Sequence, residues 1–98
     1  MRRIAWSSDA LDDLEDVMFY IGVENPAASH LIVERIKATI LQLAEMPVGR
    51  VGRVKGTHEW VVRQTSYIVS YSLSDDTLNV LHVIHGARDW PEGEWPAE

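Results

Sequence analysis

Three histidines in the second half of the chain, His58, His82 and His85, stand among Lys55, Arg63 and Arg88. Imidazole exchanges a proton near neutral pH, and guanidinium or ammonium groups stabilise charge building on a phosphate. Side chains of these types could cleave a phosphodiester without a metal. One takes a proton from a ribose hydroxyl, another donates to the leaving oxygen, and cations hold the pentavalent state between. His85 or His58 would serve as acid or base, with Arg63 and Arg88 against the phosphate. The same cations could instead recognise a partner. Arg50, Arg53, Lys55 and Arg63 face a single acid, Glu59, in the segment 50–63, a local balance of +3 in a chain of formal charge −6. Arg88 and Trp90, in the run GARDWP, put a cation beside an aromatic, a common contact arrangement.

Other chemistries find little support. His82 and His85 are three residues apart, so on a strand their side chains point to opposite faces and cannot close on one ion. Cysteine is absent, which removes thiolate ligands, a Cys nucleophile and disulfides. Gly49, Gly52 and Gly56 lack the Gly-Lys-Ser/Thr ending and the following helix of a phosphate loop. No metal or cofactor is expected.

The elements that must position these residues can be read from periodicity. Residues 3–7 read as a short strand with Ile4 and Trp6 on one face. In Ser8 to Gly22, Leu11, Leu14, Val17, Met18 and Ile21 recur at helical spacing, and Ser8 or Asp9 can cap the first amides. Asn25 followed by Pro26 signals a second helix running to Met46, with Ile32, Ile36, Ile40, Leu43 and Ala44 inward. The short link forces an antiparallel hairpin. After the basic loop, 59–62, 66–73 and 78–84 read as three strands of an antiparallel meander, with Tyr67, Val69, Tyr71 and Leu73 sharing one face. The expected fold is α+β, the helices packed on one face of the sheet, in a single domain over 1–91 followed by an acidic tail, 92–98.

Net acidity argues against sequence-blind coating of nucleic acid, which draws on many cations. No apolar run approaches the roughly 18 residues of a membrane span and the N-terminus does not read as a secretory signal, so a soluble protein of the reducing cytoplasm is expected. The acids Asp9, Asp12, Asp13, Glu15, Asp16 and Glu24 occur with no intervening Lys or Arg. They read as a solvated helix surface. Phe19, Tyr20, Tyr67 and Tyr71 are expected mostly in the core.

Four pieces carry a likeness spanning nearly the whole chain. They are Trp6, Ala10, Asp13 and Leu14; then Tyr20, Ile21, Asn25, Pro26 and Ala28; then Pro47, Gly49, Arg50, Gly52, Arg53, Val54, Gly56, Thr57, Glu59 and Val61; and last Tyr67, Tyr71, Val80, His82, His85, Ala87, Arg88, Trp90 and Pro91. In this order they resemble the ParE branch of the RelE/ParE toxin superfamily. His58 departs from the pattern, standing where members often carry Arg, and the acidity departs from a commonly basic group. The resemblance implies a toxin that binds DNA gyrase and blocks replication. Its contact surface is expected at Arg50, Arg53, Lys55, His58, Arg63, His85, Arg88 and Trp90. It also implies neutralisation by a ParD-like antitoxin in a hetero-oligomer, through an apolar groove of Met18, Ile21, Leu31 and Trp60. The antitoxin, not this chain, would bind DNA sequence-specifically. The alternatives are a RelE-like ribosome-dependent mRNA endonuclease, using the histidines and arginines above, and a weakly active toxin that mainly binds its antitoxin.

Overall fold

The computed structural model describes residues 1–86. The elements run β1 (Arg3–Trp6), α1 (Ser8–Gly22), α2 (Pro26–Glu45), β2 (Arg50–Val51), β3 (His58–Val61), β4 (Tyr67–Ser74) and β5 (Thr77–His85). No helix among these residues is long and apolar enough to cross a membrane.

The cap of α1 is Ser7, one residue earlier than expected. It stays extended, so its Oγ accepts from the Ala10 N–H at 2.9 Å while donating to the Leu81 carbonyl at 2.8 Å. The same hydroxyl therefore starts the helix and ties it to the sheet. Asn25 Oδ1 caps α2 through the Ala28 N–H at 3.0 Å, with Pro26 at the first turn. Between the helices, Ser29 Oγ donates to the Met18 carbonyl at 3.1 Å.

The buried stripe of α1 is Ala10, Leu14 and Val17, with Ile21 half-buried against the core, whereas Leu11 and Met18 are each 49% exposed. Phe19 and Tyr20 also leave the expected core. At 100° per residue, Phe19 falls on the side of the helix opposite Ala10. Helix α2 buries Val33, Ile36, Ile40, Leu43 and Ala44. Both stripes meet Val62, Tyr67, Val69, Tyr71, Leu78, Val80 and Val83 of the sheet region in one cluster.

The sheet has five strands rather than four, in the order β1-β5-β4-β3-β2. The first strand lies at an edge, parallel to the last, with Arg3 opposite Thr77 and Trp6 opposite Val80. The rest is antiparallel. The β4–β5 register shifts at Ser70/Tyr71: Ser70 faces His82 but Tyr71 faces Val80, which leaves Leu81 as the extra residue of a bulge. The shift lets both Val80 and Val83 join the helix face and sends His82 to the other side.

Beyond Val80, β5 has no β1 partner, and α1 closes that open edge. The Asp13 carboxylate accepts the Val83 N–H at 3.0 Å and lies 3.3 Å from His82 Nδ1. Burial raises the Asp13 pKa above its ordinary value despite the opposing contacts from Val83 and His82. Removing the carboxylate therefore also relieves a desolvation cost. Asp13→Ala is expected to lower stability by only about 1 kcal/mol, measured by urea unfolding.

A candidate target-binding surface

Strand β2 owes its existence to β3, which returns alongside it. Arg50 pairs with Glu59 and Val51 with His58, which folds the chain back through the loop 52–57. The loop is closed internally: Gly52 N–H donates to the Thr57 carbonyl at 2.8 Å, and Thr57 N–H donates to the Val54 carbonyl at 3.1 Å. Thr57 Oγ1 adds a bond to that carbonyl at 2.6 Å. A Cβ at Gly52 would collide with Thr57 Oγ1, and Gly56 has a φ of 84°, so both glycines are required by the turn itself.

The loop is anchored from outside by Glu59, whose side chain is 3% exposed. Its Oε2 accepts from the Arg53 N–H at 3.1 Å and from Arg53 Nε at 2.9 Å, and Oε1 accepts from Arg53 Nη2 at 3.3 Å. Arg50 Nη2 stands 3.7 Å from Oε1 with its side chain 68% exposed, a loose pair on the solvent side. Burial pushes the Glu59 carboxyl up, but the hydrogen bonds and charge of Arg53, with Arg50 behind them, outweigh it and hold the pKa below its ordinary value. The carboxylate stays ionised, and the guanidinium of Arg53 is largely spent on it. Lys55 is exposed near the tip and has no hydrogen bond or ion pair among the described residues. His58 stacks on Tyr71, ring centroids 5.4 Å apart, while the Tyr71 hydroxyl donates to the Val48 carbonyl.

The remaining expected contacts lie elsewhere. Arg63 is exposed just past the other end of β3, beside Gln64, whose carbonyl accepts from Arg35 Nη1 at 3.3 Å. His85, at the end of β5, meets Tyr67 edge-on at 4.9 Å and lines a small cleft with Asp13, Asp16, Val17, Tyr20 and Val83. The structure thus separates two groups. Arg50, Arg53, Lys55 and His58 gather at one end of β3, and Arg63 and His85 at the other, so they form no single cationic rim. Arg88 and Trp90 lie outside the described residues.

The separation bears on catalysis. His58 pairs with Tyr71 and His85 with Tyr67, four positions along β4, or roughly 13 Å at about 3.3 Å per residue. They cannot act as acid and base on one phosphate. His82 faces Ser70 and His85 faces Tyr67, on opposite sides of the sheet as expected.

The expected antitoxin groove is also divided. Met18 lines a hollow of about 240 Å³ between the helices, with Gly22, Pro26, Ser29, His30 and Val33. Trp60 lines a different one, of about 290 Å³, with Arg50, Glu59 and Val61. Leu31, 49% exposed, and Ile21 line neither. Sequence reasoning missed the apolar surface beyond Met18: Phe19, Tyr20 and Val23 are each about 70% exposed. The helical phase of these residues relative to Ala10 and Leu14 would have shown it.

A helix hairpin laid on this mixed sheet is a fold shared with toxins of toxin–antitoxin pairs. The chromosomal ParDE system of P. aeruginosa provides one such structure, with a TM-score of 0.78 at 18% identity over 87% of this chain and 96% of that one. The isolated RelE toxin of E. coli gives 0.64 at 15% identity, over 91% and 88% of the two chains. In sequence, Y4kP of Sinorhizobium fredii, a protein named as a candidate toxin, is 38% identical over 92 residues, 93% of this chain and 95% of that protein. Residues 4–90 match the family described as ParE toxin of type II toxin–antitoxin system, parDE, and the chain belongs to that family.

Proposed function

We infer that this toxin acts as a binder rather than a hydrolase: it engages DNA gyrase in the cytoplasm, holds the enzyme's cleaved DNA complex and so blocks replication. The observation that carries this reading is the pinned loop 52–57, which presents Lys55 to solvent. A rigid loop with exposed charge suits recognition and steering. Membership in the ParE family supports the same target.

A ParD-like antitoxin is the expected regulator. The hairpin exposes Met18, Phe19, Tyr20, Val23 and Leu31, and its hollow at Met18, Gly22, Pro26 and Val33 offers a seat for an amphipathic segment of the antitoxin. Its likeness to the chain from a ParDE system agrees with that assignment.

Purified toxin added to gyrase and relaxed plasmid is expected to suppress supercoiling and to accumulate cleaved DNA. In parallel, a translation reaction read by primer extension should show no new cuts in the message. Message cleavage with untouched gyrase would replace this function by a RelE-like endonuclease. Inertness in both assays would leave a protein that mainly binds its antitoxin.

A further inference from the structure

Charge counting makes Arg53 a contact residue, but its geometry says otherwise. Its backbone N–H and two of its guanidinium nitrogens converge on the one carboxylate of Glu59, at 3.1, 2.9 and 3.3 Å. Glu59 is itself fixed in β3 between the strands carrying Arg50 and Ser70. Gly52 and Thr57 close the loop on itself. Among the described residues, what stays unpinned lies near the tip, at Lys55 and Gly56.

We propose that Arg53 is a positioning residue: forked onto Glu59, it holds the loop 52–57 in one shape so that Lys55 meets carboxylates on the surface of the gyrase protein. A loop ordered in advance does not lose that freedom on binding, which saves affinity otherwise spent on ordering. A planar fork is what lets one side chain hold both carboxylate oxygens, and lysine cannot reproduce it. A protein surface is favoured over a nucleic-acid backbone because the chain carries a net charge of −6 and offers few cations here.

The inference rests on the gyrase reading, and a double-mutant cycle on the full-length toxin tests it. Arg53→Lys keeps the charge but loses the fork; Lys55→Ala removes the presented cation. Each single change is expected to weaken binding to purified gyrase about tenfold, and the double variant should be no weaker than Lys55→Ala by itself. Lys55→Arg should retain binding. Amide exchange at Gly52 and Thr57, whose N–H groups close the loop, should quicken in Arg53→Lys while exchange in β4 and β5 is unchanged. Multiplying effects in the double variant would make Arg53 an independent contact and overturn the proposal, as would unaltered loop exchange. Binding to duplex DNA without gyrase that disappears in Lys55→Ala would overturn the assignment to protein carboxylates. If the wild-type toxin fails to bind gyrase, that reading falls separately. The same cycle scored as growth arrest at matched expression then decides whether Arg53 works through Lys55.

Discussion

Glu59→Ala is expected to cost about 2 kcal/mol and to lower the thermal midpoint by roughly 10 °C. The substitution removes the acceptor for three Arg53 donors and leaves a void behind β3. A fully buried pair broken on one side costs roughly 3–5 kcal/mol. Arg53 is 38% exposed, so its cation regains water and the penalty is smaller. Calorimetry at neutral pH checks the magnitude, and its pH dependence checks the cause. Because folding lowers the Glu59 pKa, the folded state binds its proton less readily than the unfolded chain. The stabilisation is therefore complete above the ordinary glutamate range and is lost as the pH falls through the lowered folded value. Glu59→Gln should fall short of the wild type most at neutral pH, with the gap narrowing on acidification. A gap that widened in acid would show that the carboxylate is not what holds the loop.

Ile36→Ala is expected to have the larger effect on stability, about 3–4 kcal/mol, read by urea unfolding as a lower midpoint with an unchanged slope. Ile36 has no exposed surface, and it lies in the cluster that joins both helices to β4 and β5. The neighbours of a side chain so enclosed cannot collapse fully into the space it leaves. A loss below about 1 kcal/mol would mean that the hairpin can slide on the sheet to close the gap.

The two changes also mark where reading the letters succeeds and where it stops. Ile36 and its companions at Ile32, Ile40 and Leu43 repeat at helical spacing, and the alternation of Tyr67, Val69 and Tyr71 identifies a strand and its inner face, although Leu73, expected on that face, is exposed near the end of the strand. Those patterns are local, and they suffice for the helix hairpin and the meander. Strand β2 has two residues, too few to show any alternation, and is recognisable only from its pairing with His58 and Glu59. The slot of β1 beside β5 depends on contacts across nearly the whole chain. The bulge at Leu81 likewise arises from pairing rather than composition.

The candidate surface is legible to the same extent. A run rich in Arg and Gly announces a basic loop, but a count of charges does not say which are already engaged. Arg53 is neutralised by Glu59, and Arg63 is carried to the far end of β3 by the strand between them. Asp13 reads as one more acid on a solvated helix, because nothing nearby in sequence discloses that it reaches the edge of β5. Glu59 is only six residues from Arg53, yet the fork between them depends on how the loop turns, whereas Asp13 reaches a residue 70 positions away.

The pairing of β1 with β5 has a bearing on how this poison is made. Ser7 bonds across 74 positions to Leu81, and β5 fills the sheet between the first strand and all the others. During synthesis the opening strand must wait for its neighbour until β5 has been translated. A message cut short before Thr77 would encode the helix hairpin and four strands, with β1 left without the neighbour that joins it to the sheet. The fold is therefore completed only by its last described strand, and the opening segment stays unpaired until then.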